Sequence, residues 1–148
     1  MYFYLGSDHA GYKTKEILQK FLTKKGIKTI DLGPHDEERV DYPDFAEKIA
    51  KKVSKDKKAL GLLICGTGIG MSISANKING IRAANPFDVY TAKMAREHNN
   101  ANVLCLGART YKPEISKKIL KAFIETKPPK EKRHLARINK IMKLEKKK

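Results

Sequence analysis

Two stretches of this chain carry no polar side chain at any position, Leu60–Cys65 and Val103–Leu106. A strand with one wet face alternates apolar and polar residues, so runs like these mark strands covered on both faces. Burial on both sides is typical of a parallel sheet, whose strands are joined by long crossovers, usually helices.

The remaining sequence supplies those crossovers. Tyr2–Gly6 reads as a first strand, and Ile27–Leu32 as a second. Between them, Tyr12–Lys25 places Ile17, Leu18, Phe21 and Leu22 on one helical face, and Gly26 ends it. A polar loop follows from Gly33 to Asp41. Pro43 opens a helix with Phe45, Ala46, Ile49, Ala50 and Val53 on its inner face. After Leu60–Cys65 comes a glycine-rich turn, Gly66–Gly70, then a helix over Met71–Ile78 and a short strand over Ile81–Ala84. A helix over Asp88–His98 precedes the last strand, Asn102–Leu106. Pro113–Thr126 is a helix with Ile115, Ile119, Leu120 and Phe123 inward. Lys127-Pro128-Pro129-Lys130 stops it, since paired prolines cannot continue a helix. A final amphipathic helix over Lys132–Leu144 carries Leu135, Ile138, Ile141 and Met142. The expected architecture is a Rossmann-like three-layer α/β/α sandwich with a mostly parallel five-stranded sheet. Residues 1–126 form the domain. Residues 127–148 add a linker and a helix that completes the same domain or packs on a partner subunit.

At 148 residues the chain suits one domain. Its net charge of +16 raises the question of nucleic acid. However, ten Lys/Arg against two Glu fall within residues 127–148, so half of the excess sits in the last 22 residues. No aromatic residue interleaves that tail to stack on a base. An anionic small substrate fits the basic balance equally well. The two cysteines, Cys65 and Cys105, lie inside apolar runs, which is neither a disulfide framework nor a zinc-binding pattern. No apolar run approaches the roughly 20 residues of a membrane span, and a soluble cytoplasmic protein is expected.

In parallel α/β folds, ligands sit at the carboxyl ends of the strands. The first strand ends in Ser7-Asp8-His9 and the third in Cys65-Gly66-Thr67-Gly68-Ile69-Gly70. Three glycines at alternate positions between a buried strand and a helix allow several N–H groups to converge on an anion. A cysteine at such a turn is favoured as a thiolate and can serve as nucleophile or base. The plainer reading is a buried cysteine ahead of a tight turn. The dinucleotide fingerprint fails because Met71 stands where its last glycine would be, and no Gly-Lys-Ser/Thr follows for a Walker loop. Asp8 and His9 suit sugar hydroxyls or a phosphate; equally, Asp8 suits the cap of the following helix. His98 closes a helix, where it is either an acid at neutral pH or a cation favoured by the helix terminus. Arg133 and Arg137, four residues apart, share a helix face and could clamp a phosphate, or could simply be solvated.

Together these segments resemble the ribose-5-phosphate isomerase type B family. The resemblance rests on Gly6–Gly11, Asp41-Tyr42-Pro43, Cys65–Lys77, Gly80-Ile81-Arg82-Ala83, Glu97-His98-Asn99, Asn102-Val103-Leu104, Gly107-Ala108-Arg109, and Arg133-His134 with Arg137. It implies interconversion of ribose 5-phosphate and ribulose 5-phosphate through a cis-enediolate. By that resemblance Cys65 takes the C2 proton, Thr67 assists, and the turn of Gly66, Gly68, Ile69 and Gly70 holds the enediolate oxygen. His98 opens the sugar ring. Asp8, His9 and Asn99 bind or position sugar oxygens, and Arg109, Arg133 and Arg137 bind phosphate. The resemblance implies no metal or organic cofactor. It implies a homodimer, at times paired into a tetramer, whose site is shared between subunits. A six-carbon sugar-phosphate isomerase (allose 6-phosphate or galactose 6-phosphate) and a basic nucleic-acid-binding module are the competing readings. The lysine-rich end, Glu145–Lys148, follows no assignable motif.

Overall fold

The computed structural model describes residues 1–145; Lys146–Lys148 of the lysine-rich end lie outside the described residues. Five strands form one sheet: β1 (Tyr2–Ser7), β2 (Thr29–Asp31), β3 (Ala59–Cys65), β4 (Ala83–Ala84) and β5 (Val103–Gly107), in the order β2-β1-β3-β5-β4. Every pairing is parallel. The helices are α1 (Tyr12–Lys24), α2 (Tyr42–Lys55), α3 (Ile69–Ala75), α4 (Val89–Glu97), α5 (Pro113–Glu125) and α6 (Lys132–Leu144). The expected three-layer sandwich is what forms.

The two all-apolar runs are the central strands β3 and β5, buried along their whole lengths. Their alternate side chains feed two cores. Phe3, Leu5, Leu62, Ile64, Leu104 and Leu106 meet α1, α4 and α5 on one face. Leu63, Cys65, Val103 and Cys105 meet Ala46, Ile49 and Val53 of α2 and Met71 and Ala75 of α3 on the other. This alternation decides which way Cys65 points: toward the α2–α3 layer.

Four expectations shift. The fourth strand is only Ala83–Ala84, because the Ile81 N–H is taken by the Ile78 carbonyl at 3.2 Å. The second strand is only Thr29–Asp31, because the Ile27 N–H is taken by the Leu22 carbonyl at the end of α1. Helix α3 starts two residues early, at Ile69, because Gly68 in the left-handed region serves as its N-cap. In α5 the inward stripe is Ser116, Ile119, Leu120 and Phe123; Ile115 falls at its margin and is 40% exposed. By contrast, α4 begins as its sequence suggests. The Asp88 carboxylate accepts the Thr91 N–H at 2.6 Å, and Thr91 Oγ1 accepts the Asp88 N–H at 3.1 Å, a reciprocal cap.

One buried charge organises the loop after β2. Lys15, fully enclosed, donates to Asp31 at 2.8 Å and to the Pro34 carbonyl. Removing one partner of such a pair strands the other without compensation. Asp31→Ala is therefore expected to lower stability by about 3–5 kcal/mol, with Lys15→Met losing less. Urea denaturation of the two variants checks this.

Candidate active site

The carboxyl ends of β1, β3 and β5 open on one edge of the sheet, and their register brings three segments side by side. Ser7 pairs with Ile64, and Cys65 with Gly107. The Asp8 N–H continues that contact by donating to the Ile64 carbonyl at 3.0 Å. On the other side, the Ala108 N–H donates to the Cys65 carbonyl (2.8 Å) and the Arg109 N–H to the Gly66 carbonyl (3.0 Å). Asp8, His9, the Cys65–Gly70 turn and Arg109 are thus brought together by backbone hydrogen bonds, as the strand-end reading anticipated.

Within this cluster Cys65 is 5% exposed, and its Sγ accepts the Gly68 N–H at 3.1 Å. The turn folds its own amide back onto the sulfur because Gly68 takes φ +80°, where a side chain is strained. A Cβ at Gly68 would also lie 2.6 Å from the Asn85 side-chain amide and 2.9 Å from the Leu106 carbonyl carbon. Gly68→Ala is therefore expected to push the turn off the sulfur and lower kcat by about 10²-fold, the scale of an ångström's misplacement. Steady-state kinetics beside a melting curve separate this from unfolding. Gly70 is small for another reason: a Cβ there would sit 2.6–3.0 Å from the Tyr42 ring, which packs on the turn.

The other strand end is equally ordered. Asp8, 7% exposed, uses Oδ1 to accept the Gly11 N–H at 2.9 Å. It therefore stabilises the turn before α1, whose N-cap, Gly11, offers no side-chain cap. No described residue donates to its Oδ2. His9 Nδ1 is buried and has no hydrogen-bond partner among the described residues. Thr67 is exposed, with its Oγ1 accepting the Ile69 N–H at 3.3 Å. The Arg109 side chain lies against Gly66, 3.5 Å from where a Cβ would stand. The second cysteine has no such opening. Cys105 is fully enclosed, and burial, with Cys65 adding to it, pushes its thiol well above the ordinary range.

The remaining predicted residues lie elsewhere. His98 is the C-cap of α4, and Asn99 follows it. Both precede Val103, the first residue of β5, whereas Cys65 stands opposite Gly107, the last. Five residues of strand rise about 13 Å, so His98 and Cys65 occupy opposite edges of the sheet. Two arginines, buried Arg96 and half-buried Arg82, hold this second cluster. Arg82 Nε donates to the Asn99 and Asn100 carbonyls (3.1 and 3.0 Å), and Arg96 donates to the Ala101 carbonyl (2.6 Å). Burial lowers the pKa of both guanidiniums from its ordinary value. Helix α6 packs against the cluster through buried His134 and Ile138, with His134 stacked on His98. Arg133 and Arg137 are exposed on α6, and Arg133 Nε reaches Glu131 at 2.7 Å.

Two supporting residues went unread in the sequence. Asn85, just after β4, braces the turn. In the orientation that satisfies its whole amide, it donates to the Cys105 carbonyl (3.0 Å) and accepts from the Ile69 N–H (3.3 Å). Its only signal is the Asn-Pro dipeptide that ends a short strand. Tyr42 stood in a quoted motif, but nothing in spacing says that its ring would meet Gly70.

With this geometry in view, likeness to known proteins is informative. The sequence matches the family described as Ribose/Galactose Isomerase over residues 3–141. A ribose-5-P isomerase B of Listeria innocua is 42% identical over 122 residues, covering 82% of each chain. A ribose-5-phosphate isomerase B structure from Clostridium thermocellum superposes with a TM-score of 0.95 at 44% identity, covering 99% of both chains. The Mycoplasma genitalium enzyme, solved with bound ribulose-5-phosphate, gives 0.94 at 41% identity, covering 99% of this chain and 97% of that one. A match over nearly the whole length, by sequence and by backbone, places this chain in the ribose/galactose isomerase family, as an isomerase of the ribose-5-phosphate isomerase B type.

Proposed function

We propose that this isomerase interconverts ribose 5-phosphate and ribulose 5-phosphate with Cys65 as the base, in a site completed by a second copy of the chain. The observation that carries the assignment is the Cys65 sulfur at an open strand edge, receiving the Gly68 amide at 3.1 Å beside Asp8 and His9. That hydrogen bond holds the sulfur in one position at the strand end, as proton abstraction from a bound sugar needs.

The chemistry follows from the groups at that edge. The Cys65 thiolate takes the C2 proton of the open-chain aldose. The electron pair left behind forms the C1–C2 double bond, and charge moves to the former aldehyde oxygen. On this reading the turn of Gly66, Gly68, Ile69 and Gly70 holds that oxyanion, with the Gly66 and Gly70 amides as donors because those of Gly68 and Ile69 are already engaged. The same thiol returns its proton to C1, while the exposed Thr67 hydroxyl moves a proton between the two oxygens. Asp8 Oδ2 and His9 hold sugar hydroxyls, and Arg109 faces the phosphate. The proton shift is internal, so the cycle closes without a redox cofactor.

Ring opening and the rest of the phosphate grip require His98, Asn99, Arg133 and Arg137, which lie on the opposite edge. A two-fold dimer resolves this, because the Cys65 edge of each copy can meet the His98 edge of the other, giving two identical sites. Exposed Ile69 and Ile73 on α3, beside the turn, and exposed Leu135, Ile141 and Leu144 on α6, beside the second cluster, support such a contact. On this reading residues 127–145 belong to the same unit as residues 1–126, anchored by His134 and Ile138. None of the described helices is long and apolar enough to cross a membrane. A thiol base works in a reducing compartment, which supports a cytoplasmic location.

The test is turnover of ribose 5-phosphate by the purified protein, with allose 6-phosphate and galactose 6-phosphate as comparisons. A kcat/KM highest for the five-carbon substrate is expected. A preference for a six-carbon substrate would replace the substrate but keep the reaction class. Inactivity on all three, together with salt-sensitive binding to mixed-sequence DNA or RNA, would favour a binding module.

A further inference from the structure

The stacking of His134 on His98 is a feature that the reaction outlined above leaves unused. Their rings stack face to face, with centroids 4.1 Å apart and planes 11° from parallel. His134 is 4% exposed, whereas His98 is only half-buried. The His134 Nε2 is sealed without a hydrogen-bond partner among the described residues, and a carboxylate oxygen of Glu131 is 3.8 Å away. An imidazole buried with an unsatisfied nitrogen costs stability that a phenyl ring of similar shape would not. The two rings also belong to elements far apart in sequence, so the contact fixes α6 against the end of α4.

We infer that His134 is a positioning residue, whose buried ring fixes the plane of the His98 imidazole and offers the protonated His98 a π-face. The inference rests on the reading of His98 as the ring-opening acid. Two imidazolium rings cannot stack at this distance without strong repulsion, so the pair carries one proton at a time. The inner ring is the one that stays neutral. Desolvation lowers its proton affinity first, the charge of His98 next, then Arg133 and Arg137, with Glu131 opposing them. Glu97 of α4, and Lys127 and Lys130 of the linker, line the same hollow and complete the charges around the pair. His98 is the ring that substrate can reach, and it is the one read above as the ring-opening acid. A cation over a neutral aromatic face is stabilised where it is partly shielded from water.

The test is an NMR titration of His98 in the full-length protein, in the wild type, His134→Phe and His134→Leu. Phenylalanine keeps the face, and the His98 midpoint is expected at or above the wild-type value. Leucine removes it, and the midpoint is expected to fall by about half a pH unit or more. The alkaline limb of kcat/KM for ribose 5-phosphate should move with it. If His134→Leu does not fold, His134→Asn also removes the ring and carries the same expectation. A His98 midpoint unchanged in the ring-free variant overturns the inference. A midpoint that falls while the pH–rate limb stays in place upholds the His134 contact and removes His98 from ring opening.

Discussion

Cys65→Ala is expected to lower kcat for ribose 5-phosphate by about 10²–10⁴-fold, the contribution of a positioned general base, while KM changes little. The separation of kcat from KM is what the geometry demands. On the proposed reading the sulfur touches only the reacting carbons, and the binding contacts are assigned to Asp8, His9, Arg109 and the second cluster. Cys65→Ser should fail almost as badly. A hydroxyl can accept the Gly68 amide as the sulfur does, but its proton affinity as an alkoxide is far too high for it to be ionised near neutral pH. Cys105→Ala supplies the internal control. That thiol is enclosed, and burial holds it protonated, so its loss should cost some stability through the small cavity but leave turnover within about twofold. Steady-state kinetics and thermal melts on the three variants decide the matter. Near-normal turnover in Cys65→Ala would remove the base assignment, and a collapse of activity in Cys105→Ala would mean that the two thiols had been given the wrong roles.

The contrast between these cysteines also shows what could be read from the sequence. Both lie in runs apolar at every position, and those runs are the central strands. Sheet composition, layer order and the edge on which Asp8, His9 and Cys65 meet all follow from strand direction alone. Strand direction also separates His98 from Cys65, because a helix that descends between two parallel strands must end at the opposite edge. Local patterns were less able to report contacts that depend on the third dimension. Ile27 looks like a strand residue, but its N–H completes the end of α1. Ile115 looks inward until the phase of α5 is set by Ser116, Ile119 and Phe123. The bracing of the turn by Asn85 and the stack of His134 on His98 join residues whose sequence spacing carries no period. Such pairings become visible only once the sheet has placed their elements.

That separation of His98 from Cys65 leads to the sharpest test of the shared site. Cys65→Ala and His98→Asn variants are each expected to be nearly inactive on cyclic ribose 5-phosphate. Mixed after mild dissociation and reassociation, they should regain about one quarter of wild-type activity. The value follows from two-fold symmetry. Random exchange makes about half of the dimers hybrid. In each hybrid one site collects both lesions, and the other collects an intact Cys65 edge and an intact His98 edge. Half of the dimers, each with one of two sites working, gives about a quarter of the total. If each chain held a complete site, every site in the mixture would carry one lesion, and mixing would restore nothing. The double variant Cys65→Ala/His98→Asn mixed with wild type supplies the converse. Its hybrids have two half-damaged sites each, so excess double variant should drive activity below simple dilution. Full additivity in that experiment, with no recovery in the first, would confine catalysis to one chain and require the 13 Å of strand β5 between the clusters to be spanned some other way.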